Sequence, residues 1–231
     1  MKIALCFSGQ PRSFKAGYEY YKRNLFAHYE VDVFIHSWNT EFNTELVKLY
    51  KPVAYKFEDV PAGDFDSKYT NTPNPKKWPA RYTVYALYSM YQSLLLKQQH
   101  ETTNQFTYDW VIKSRTDYAL NGRIQFEQCE KDKIYIPDCR MVSARDFGND
   151  QFAFGSSDVM NKRMSIWPNM QVFYDSGVQM IGEDMMSAQL KKHNLVGDKL
   201  IYVHMNNPFP PGPHNGTPHS LIRDDYESWT K

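Results

Sequence analysis

Paired cysteines are the first thing this chain lacks. Cys6, Cys129 and Cys139 are odd in number and form no Cys-x-x-Cys, which excludes a disulfide framework or a cysteine zinc site and fits a reducing compartment. No stretch approaches the ~20 apolar residues needed to span a bilayer. The start, MKIALCFSGQPRS, holds about five apolar residues, where the core of a secretory signal needs ~7–15. A soluble, cytoplasmic protein without a transmembrane segment is expected. Charge excess is missing too, with 27 Lys and Arg against 26 Asp and Glu. No broad attraction for nucleic acid or an anionic membrane follows, and an anionic ligand needs a local site. Neither GxxxxGK nor GxGxxG occurs, and Asp146-Phe147-Gly148 has no HRD segment or glycine-rich loop to make it a kinase motif. Asn215-Gly216-Thr217 spells a glycosylation sequon but, with no secretory signal, reads as a turn.

Aromatic residues are abundant. Seventeen Tyr and 14 Phe combined with a mean hydropathy of −0.64 suggest many half-buried amphipathic rings. At 231 residues the chain suits one domain. Residues 2–8 are a continuous apolar run ending in Ser8-Gly9-Gln10-Pro11-Arg12, as for a central parallel strand feeding a loop. Phe14, Tyr18, Tyr21 and Leu25 recur at helical spacing. Residues 31–37 predict a strand, 41–50 a helix and 53–57 a third strand. Residues 61–79, rich in Pro, Asn, Asp and Lys, read as a mobile flap. Residues 80–100 predict the longest helix, with Tyr82, Tyr85, Ser89, Gln92 and Leu96 on one stripe. A strand follows at 110–114. Short strands at 133–137, 151–155 and 199–205 and helices at 157–164 and 183–194 follow. Residues 206–231 are a proline-rich tail expected to pack on or near the site. The class is α/β, a mixed and mostly parallel sheet between helices.

The segment WVIKSRTDYAL puts Arg115 and Asp117 at the end of an apolar strand. Ligands of open α/β sheets bind beyond the carboxyl ends of strands, so these residues and Ser8, Gly9, Gln10 and Arg12 of the first loop share an edge. Two readings stand: an ion pair capping the strand, or an Asp holding a divalent cation that grips a diphosphate. The 8–13 loop is equally open, as a nucleotide-binding loop with Arg12 for charge or as a Gly-Gln-Pro turn with a solvated Arg. Asp64-Phe65-Asp66 is a literal Asp-x-Asp, but it lies in the flap rather than after a buried strand.

WVIKSRTDYAL resembles the strand and metal-binding turn of GT-A glycosyltransferases, in the Arg-x-Asp form of lipopolysaccharide-synthesis and viral members. NDQFAFGSSDVM is similar to their D-x-F-x-F-G strand and turn, and GEDMMSAQL to the xED motif opening the acceptor-side helix of inverting enzymes. Their order and spacing match as well, and the resemblance extends over most of residues 1–205. The resemblance implies a nucleotide-diphosphate sugar donor, a glycan or lipid-linked acceptor and Mn²⁺ or Mg²⁺ held by Asp117, with His204 at the place where some relatives supply a His. It favours Asp184 as the base and Glu183 as a hydrogen-bond partner of the acceptor. Asp150 is the alternative base or a donor-sugar contact. Because Arg115 replaces the first Asp of the usual motif, Arg115 itself is a second candidate for holding phosphate. A catalytically idle nucleotide- or glycan-binding module and a retaining transferase are the other expectations.

Overall fold

The computed structural model describes residues 1–137 and 149–203. The first strand, β1 (Ile3–Ser8), is buried at every position, as required when helices cover both faces of a parallel sheet. Side-chain alternation divides the interior in two: Ile3, Leu5 and Phe7 enter one apolar cluster, Ala4 and Cys6 the other. The first cluster is roofed by α1 (Phe14–Tyr21), which runs into a π turn (Lys22–Phe26), and by α2 (Asn43–Tyr50). Between them runs β2 (Val31–Trp38), and β3 (Ala54–Glu58) follows. The short α3 (Phe65–Lys68) precedes the 25-residue α4 (Ala80–Asn104), which covers the second cluster.

Next come β4 (Trp110–Ser114), β5 (Ile134–Pro137), β6 (Ala153–Gly155), α5 (Ser157–Met164), α6 (Met170–Asp175), α7 (Gly182–Lys192) and β7 (Leu200–Val203). Among the described residues the strands form one sheet ordered β3-β2-β1-β4-β6-β5-β7. Four pairings are parallel, and β6 alone runs antiparallel to both its neighbours. This is the mixed, mostly parallel α/β sheet expected from the sequence. The chain builds outward from β1 to β3, then crosses through α4 to set β4 on β1's other side, so the β1–β4 junction is where strand order reverses. Among the described residues no helix is long and apolar enough to cross a membrane.

Two local expectations are corrected. The buried side of α4 runs through Val84, Leu87, Met90, Leu94 and Lys97, while Tyr82 of the expected stripe is 59% exposed. Tyrosines at the helix margin keep their hydroxyls near water, and aliphatic residues take the core. Within residues 61–79, Tyr69 and Asn71 are anchored to residues 171–180. Tyr69 is buried and its hydroxyl donates to Gln171 Oε1 (3.0 Å), and Asn71 bonds Val178 O and Met180 N (2.9 and 3.1 Å). The helix α6, on which Tyr69 rests through Tyr174, has no counterpart in the sequence prediction. The proline-rich tail lies outside the described residues.

One glycine sets the spacing of helix and sheet edge. A Cβ on Gly17 would fall inside the van der Waals envelope of the Thr116 carbonyl oxygen, so α1 sits directly on the turn that follows β4. Gly17→Ala should lower stability by about 1–3 kcal/mol or more through this overlap, read as a fall in the urea midpoint at unchanged slope.

Candidate functional site

Parallel pairing of β1 with β4, Phe7 opposite Ser114, brings the two following loops side by side. Gly9 has φ +98°, a backbone region nearly closed to other residues, and Ser13 is held left-handed at φ +40° where α1 begins. Thr116 Oγ1 donates to the carbonyl of Arg12 (3.3 Å), which stitches the loops together. Arg12 folds its guanidinium onto Gln10 Oε1 (2.8 Å from Nε).

Beyond β4 the Arg-x-Asp spacing closes on itself. Arg115 Nε donates to Asp117 Oδ1 (2.8 Å) and its terminal nitrogen to Oδ2 (2.6 Å), a planar fork on a carboxylate. Burial works against the Arg115 charge, but Asp117 and Asp150 raise its pKa above the usual value. The Asp117 side chain is 4% exposed and that of Arg115 31%. The aspartate is therefore interior and the arginine reaches toward solvent.

Behind the fork two buried cations hold the chain that leads into β6. Lys113 Nζ donates to the carbonyls of Asp150 and Gln151 (3.2 Å for the latter). Arg163, wholly buried on α5, donates to the Asn149 carbonyl and, from its other terminal nitrogen, to Met90 Sδ (3.6 Å). Its Nε has no partner among the described atoms. Desolvation brings Lys113 down to about 7 and Arg163 to about 10, opposed in both by the Asp150 charge. Asn149 Oδ1 accepts from the amides of Gln151 and Phe152 (both 2.9 Å), closing the turn. The Asp150 carboxylate lies against the start of α7, since a Cβ on Gly182 would come within 2.8 Å of Oδ2. Asp150, Glu183 and Asp184 thus belong to one neighbourhood beside Arg115.

A hydrogen-bond relay that sequence inspection missed supports the first loop from the other side. Gly9 N donates to Ser89 Oγ (2.7 Å), Ser89 Oγ lies 2.8 Å from His36 Nδ1, and His36 Nε2 lies 2.8 Å from Glu58 Oε1. Burial lowers the His36 pKa despite Glu58, so the ring is neutral near pH 7. The neutral ring gives Nε2–H to Glu58, and the Ser89 hydroxyl has two acceptors in reach, Nδ1 and the His36 carbonyl oxygen (3.2 Å). Ser89 is wholly buried, so the trio holds the Gly9 amide rather than serving as a nucleophile. Its members lie 53 and 22 positions apart in sequence, and no local motif signals them.

The expected residues Ser8, Gly9, Gln10, Arg12, Arg115, Asp117, Asp150, Glu183 and Asp184 therefore sit on the loops and helix start of one edge. His204 lies outside the described residues, as do Cys139, Asp146, Phe147 and Gly148. Both oxygens of Asp117 are engaged by Arg115. Among the described residues no three His, Cys, Asp or Glu side chains gather to hold a metal ion, and the expected partner of Asp117, His204, is not among those residues. The other Asp-x-Asp is structural: Asp64 accepts from Ser67 N (3.1 Å), and Asp66 pairs with Arg81. A groove lined by Lys2, Glu30, Asp32, His100, Asn104 and Phe106 opens at the opposite edge, by the amino end of β1.

An Arg-Asp fork at the reversal point of a mixed α/β sheet, with a strained loop and carboxylates beside it, defines the class of site. Residues 84–211 match the family described as a domain of unknown function (DUF7796), and the chain belongs to that family. The matched span contains Arg115, Asp117, Asp150, Glu183 and Asp184 but not the β1 loop. No curated protein matches the chain.

Lys113 gives the site a pH signature. Below about pH 7 folded and unfolded chains both hold its proton; between about 7 and the ordinary value of 10.5 only the unfolded chain does. Stability therefore rises with pH across that window, by at most ~1.4 kcal/mol per pH unit. Lys113→Met should remove this increment. Urea unfolding at pH 7 and pH 9 checks it, the expected result being a smaller gain for the variant than for the wild type.

Proposed function

We propose that the chain is a GT-A-type glycosyltransferase that moves a sugar from a nucleotide-diphosphate donor to a glycan or lipid-linked acceptor, inverting the anomeric centre. The observation that carries this reading is the convergence on one sheet edge of the Arg115–Asp117 fork, the 8–13 loop and the carboxylates of Asp150, Glu183 and Asp184. Transfer with inversion requires positive donors at the leaving diphosphate and a carboxylate at the attacking hydroxyl. Here the two kinds of group are neighbours.

In this reading Arg115, with Asp117 fixing its plane, and Arg12 meet the diphosphate oxygens. The acceptor oxygen forms its bond to the anomeric carbon as the bond from that carbon to the diphosphate oxygen breaks. The bonding pair leaves on the nucleoside diphosphate, and the acceptor proton passes to Asp184. Glu183 hydrogen-bonds an acceptor hydroxyl, and Asp150 contacts the donor sugar. No step is assigned to a metal, because Asp117 would first have to give up Arg115. Gly9 N, bound to Ser89, is not the phosphate donor in this scheme. The loop acts through its shape and through Arg12.

Thermal shifts with a panel of nucleoside diphosphates, in chelator and in Mn²⁺, test the reading. A nucleotide at 100 times its dissociation constant should add about 2.7 kcal/mol of stability, with or without Mn²⁺. Arg115→Ala should abolish the shift. Asp184→Asn should keep it while lowering turnover ~100 to 10,000-fold. Stabilisation only with Mn²⁺, lost in Asp117→Ala and kept in Arg115→Ala, would transfer the diphosphate to a cation held by Asp117 and His204. No shift with any nucleotide under either condition would sink the assignment.

A further inference from the structure

Charge is balanced over the whole chain but not along it. No Asp or Glu occurs at residues 67–100, a span that carries Lys68, Lys76, Lys77, Arg81 and Lys97. Lys97 is buried and paired with Glu101, while the other four cations are exposed. The two carboxylates just before this span are both engaged, Asp64 by the Ser67 amide and Asp66 by Arg81.

Among these cations stand two large rings that the fold leaves in water. Trp78 is 48% exposed and Tyr82, four residues on, 59%. Lys77 Nζ lies 4.6 Å from the Trp78 ring centre, and the Arg81 guanidinium 5.1 Å from that of Tyr82. The tryptophan is displayed by a built turn: Asn74 O accepts from the amides of Lys77 (3.1 Å) and Trp78 (2.8 Å), and Asn74 Oδ1 also accepts from Lys77 N (3.2 Å). Pro73, Pro75 and Pro79 stiffen it. An exposed tryptophan on a stiff turn gives up apolar burial without gaining freedom, unless something else covers it.

The course of α4 shows where this surface lies. Ser89 touches Gly9 at the carboxyl end of β1, and His100 and Asn104 reach the groove at the amino end of that strand. The helix thus runs antiparallel to β1, so its first turns lie on the side of the edge that carries the candidate site, with Tyr85 and Tyr88 packed on Trp38 of β2. Trp78 and Tyr82 stand at the outer end of these turns.

We propose that the turn at 74–79 and the first turn of α4 form a docking surface for an anionic lipid bilayer. Trp78 and Tyr82 sit at the headgroup level, and Lys68, Lys76, Lys77 and Arg81 meet lipid phosphates. Amphipathic rings favour the membrane–water interface, and each surface cation adds attraction to an anionic leaflet. Rings interleaved with cations, on a span free of carboxylates, match that layered chemistry. A second copy of this chain would bring the same cations against one another. The proposal goes beyond the transferase reading and does not rest on it.

Sedimentation of the full chain with phosphatidylcholine vesicles, with and without roughly a third of phosphatidylglycerol, tests it. The wild type should pellet with the anionic vesicles alone and release as salt is raised. Replacing Lys76 and Lys77 together by Ala should lower the partition coefficient roughly 25-fold, about fivefold for each cation. Trp78→Ala should lower it several-fold. All these side chains are exposed, so the variants should melt like the wild type. Failure of the wild type to pellet with anionic vesicles, or equal pelleting by the variants, would overturn the proposal. So would capture of the wild type by soluble heparin but not by vesicles, which would give the patch to a soluble polyanion. The nucleotide panel reads other residues, so either result leaves the other interpretable.

Discussion

Everything at the candidate site hangs on the parallel ladder between β1 and β4. Two strands buried on both faces can be joined in this sense only through a long crossover, and here that crossover passes by way of β2, β3 and α4. The ladder sets Phe7 level with Ser114, and so decides that the loop at Gly9 and the fork at Arg115 end at the same height. The same strand then changes character within two residues. Ile112 belongs wholly to the core, while Lys113 is a buried amine with two carbonyl acceptors.

That change explains how the charged groups of the site are held rigid. Asp117 is inside and bound at both oxygens, and the Asn149–Gln151 backbone is gripped by Lys113 and Arg163. Buried ionic groups of this kind add little net stability, because desolvation offsets their attraction. What they supply is direction. Arg115 can point only where Asp117 allows, and Asp150 only where its clamped carbonyl and Gly182 leave room.

Much of this was legible in the sequence because the signals were local. Apolar runs ending in polar loops locate β1, β2 and β4, and the rule that ligands gather at carboxyl ends puts Gly9 and Arg115 on one edge. The parts that were not legible depend on pairs far apart in sequence. Arg163, in SDVMNKRM, reads as a solvated helix cation, yet it is wholly buried because Asn149 and Met90 converge on it. The Glu58–His36–Ser89 relay draws on three separate elements, so no spacing rule could find it. Tyr82 misled for a different reason: helical periodicity counts an aromatic as apolar, whereas the core of α4 is filled by Val84, Leu87, Met90 and Leu94.

The reversed strand β6 has a consequence for how the molecule assembles. Strands β3, β2, β1 and β4 come entirely from residues up to 114, whereas β6, β5 and β7 come from residues 134–203. During synthesis the amino-terminal four can pair first, which leaves β4, apolar from Trp110 to Ile112, with an unsatisfied edge. Such an edge readily recruits strands from other chains. The cover is β6, only three residues long and joined to β4 through Val111, Ile112 and Lys113. The Lys113 and Arg163 clamps next to it thereby acquire a second meaning: by fixing the chain just ahead of β6, they seat the cover that keeps a nascent half-sheet from aggregating.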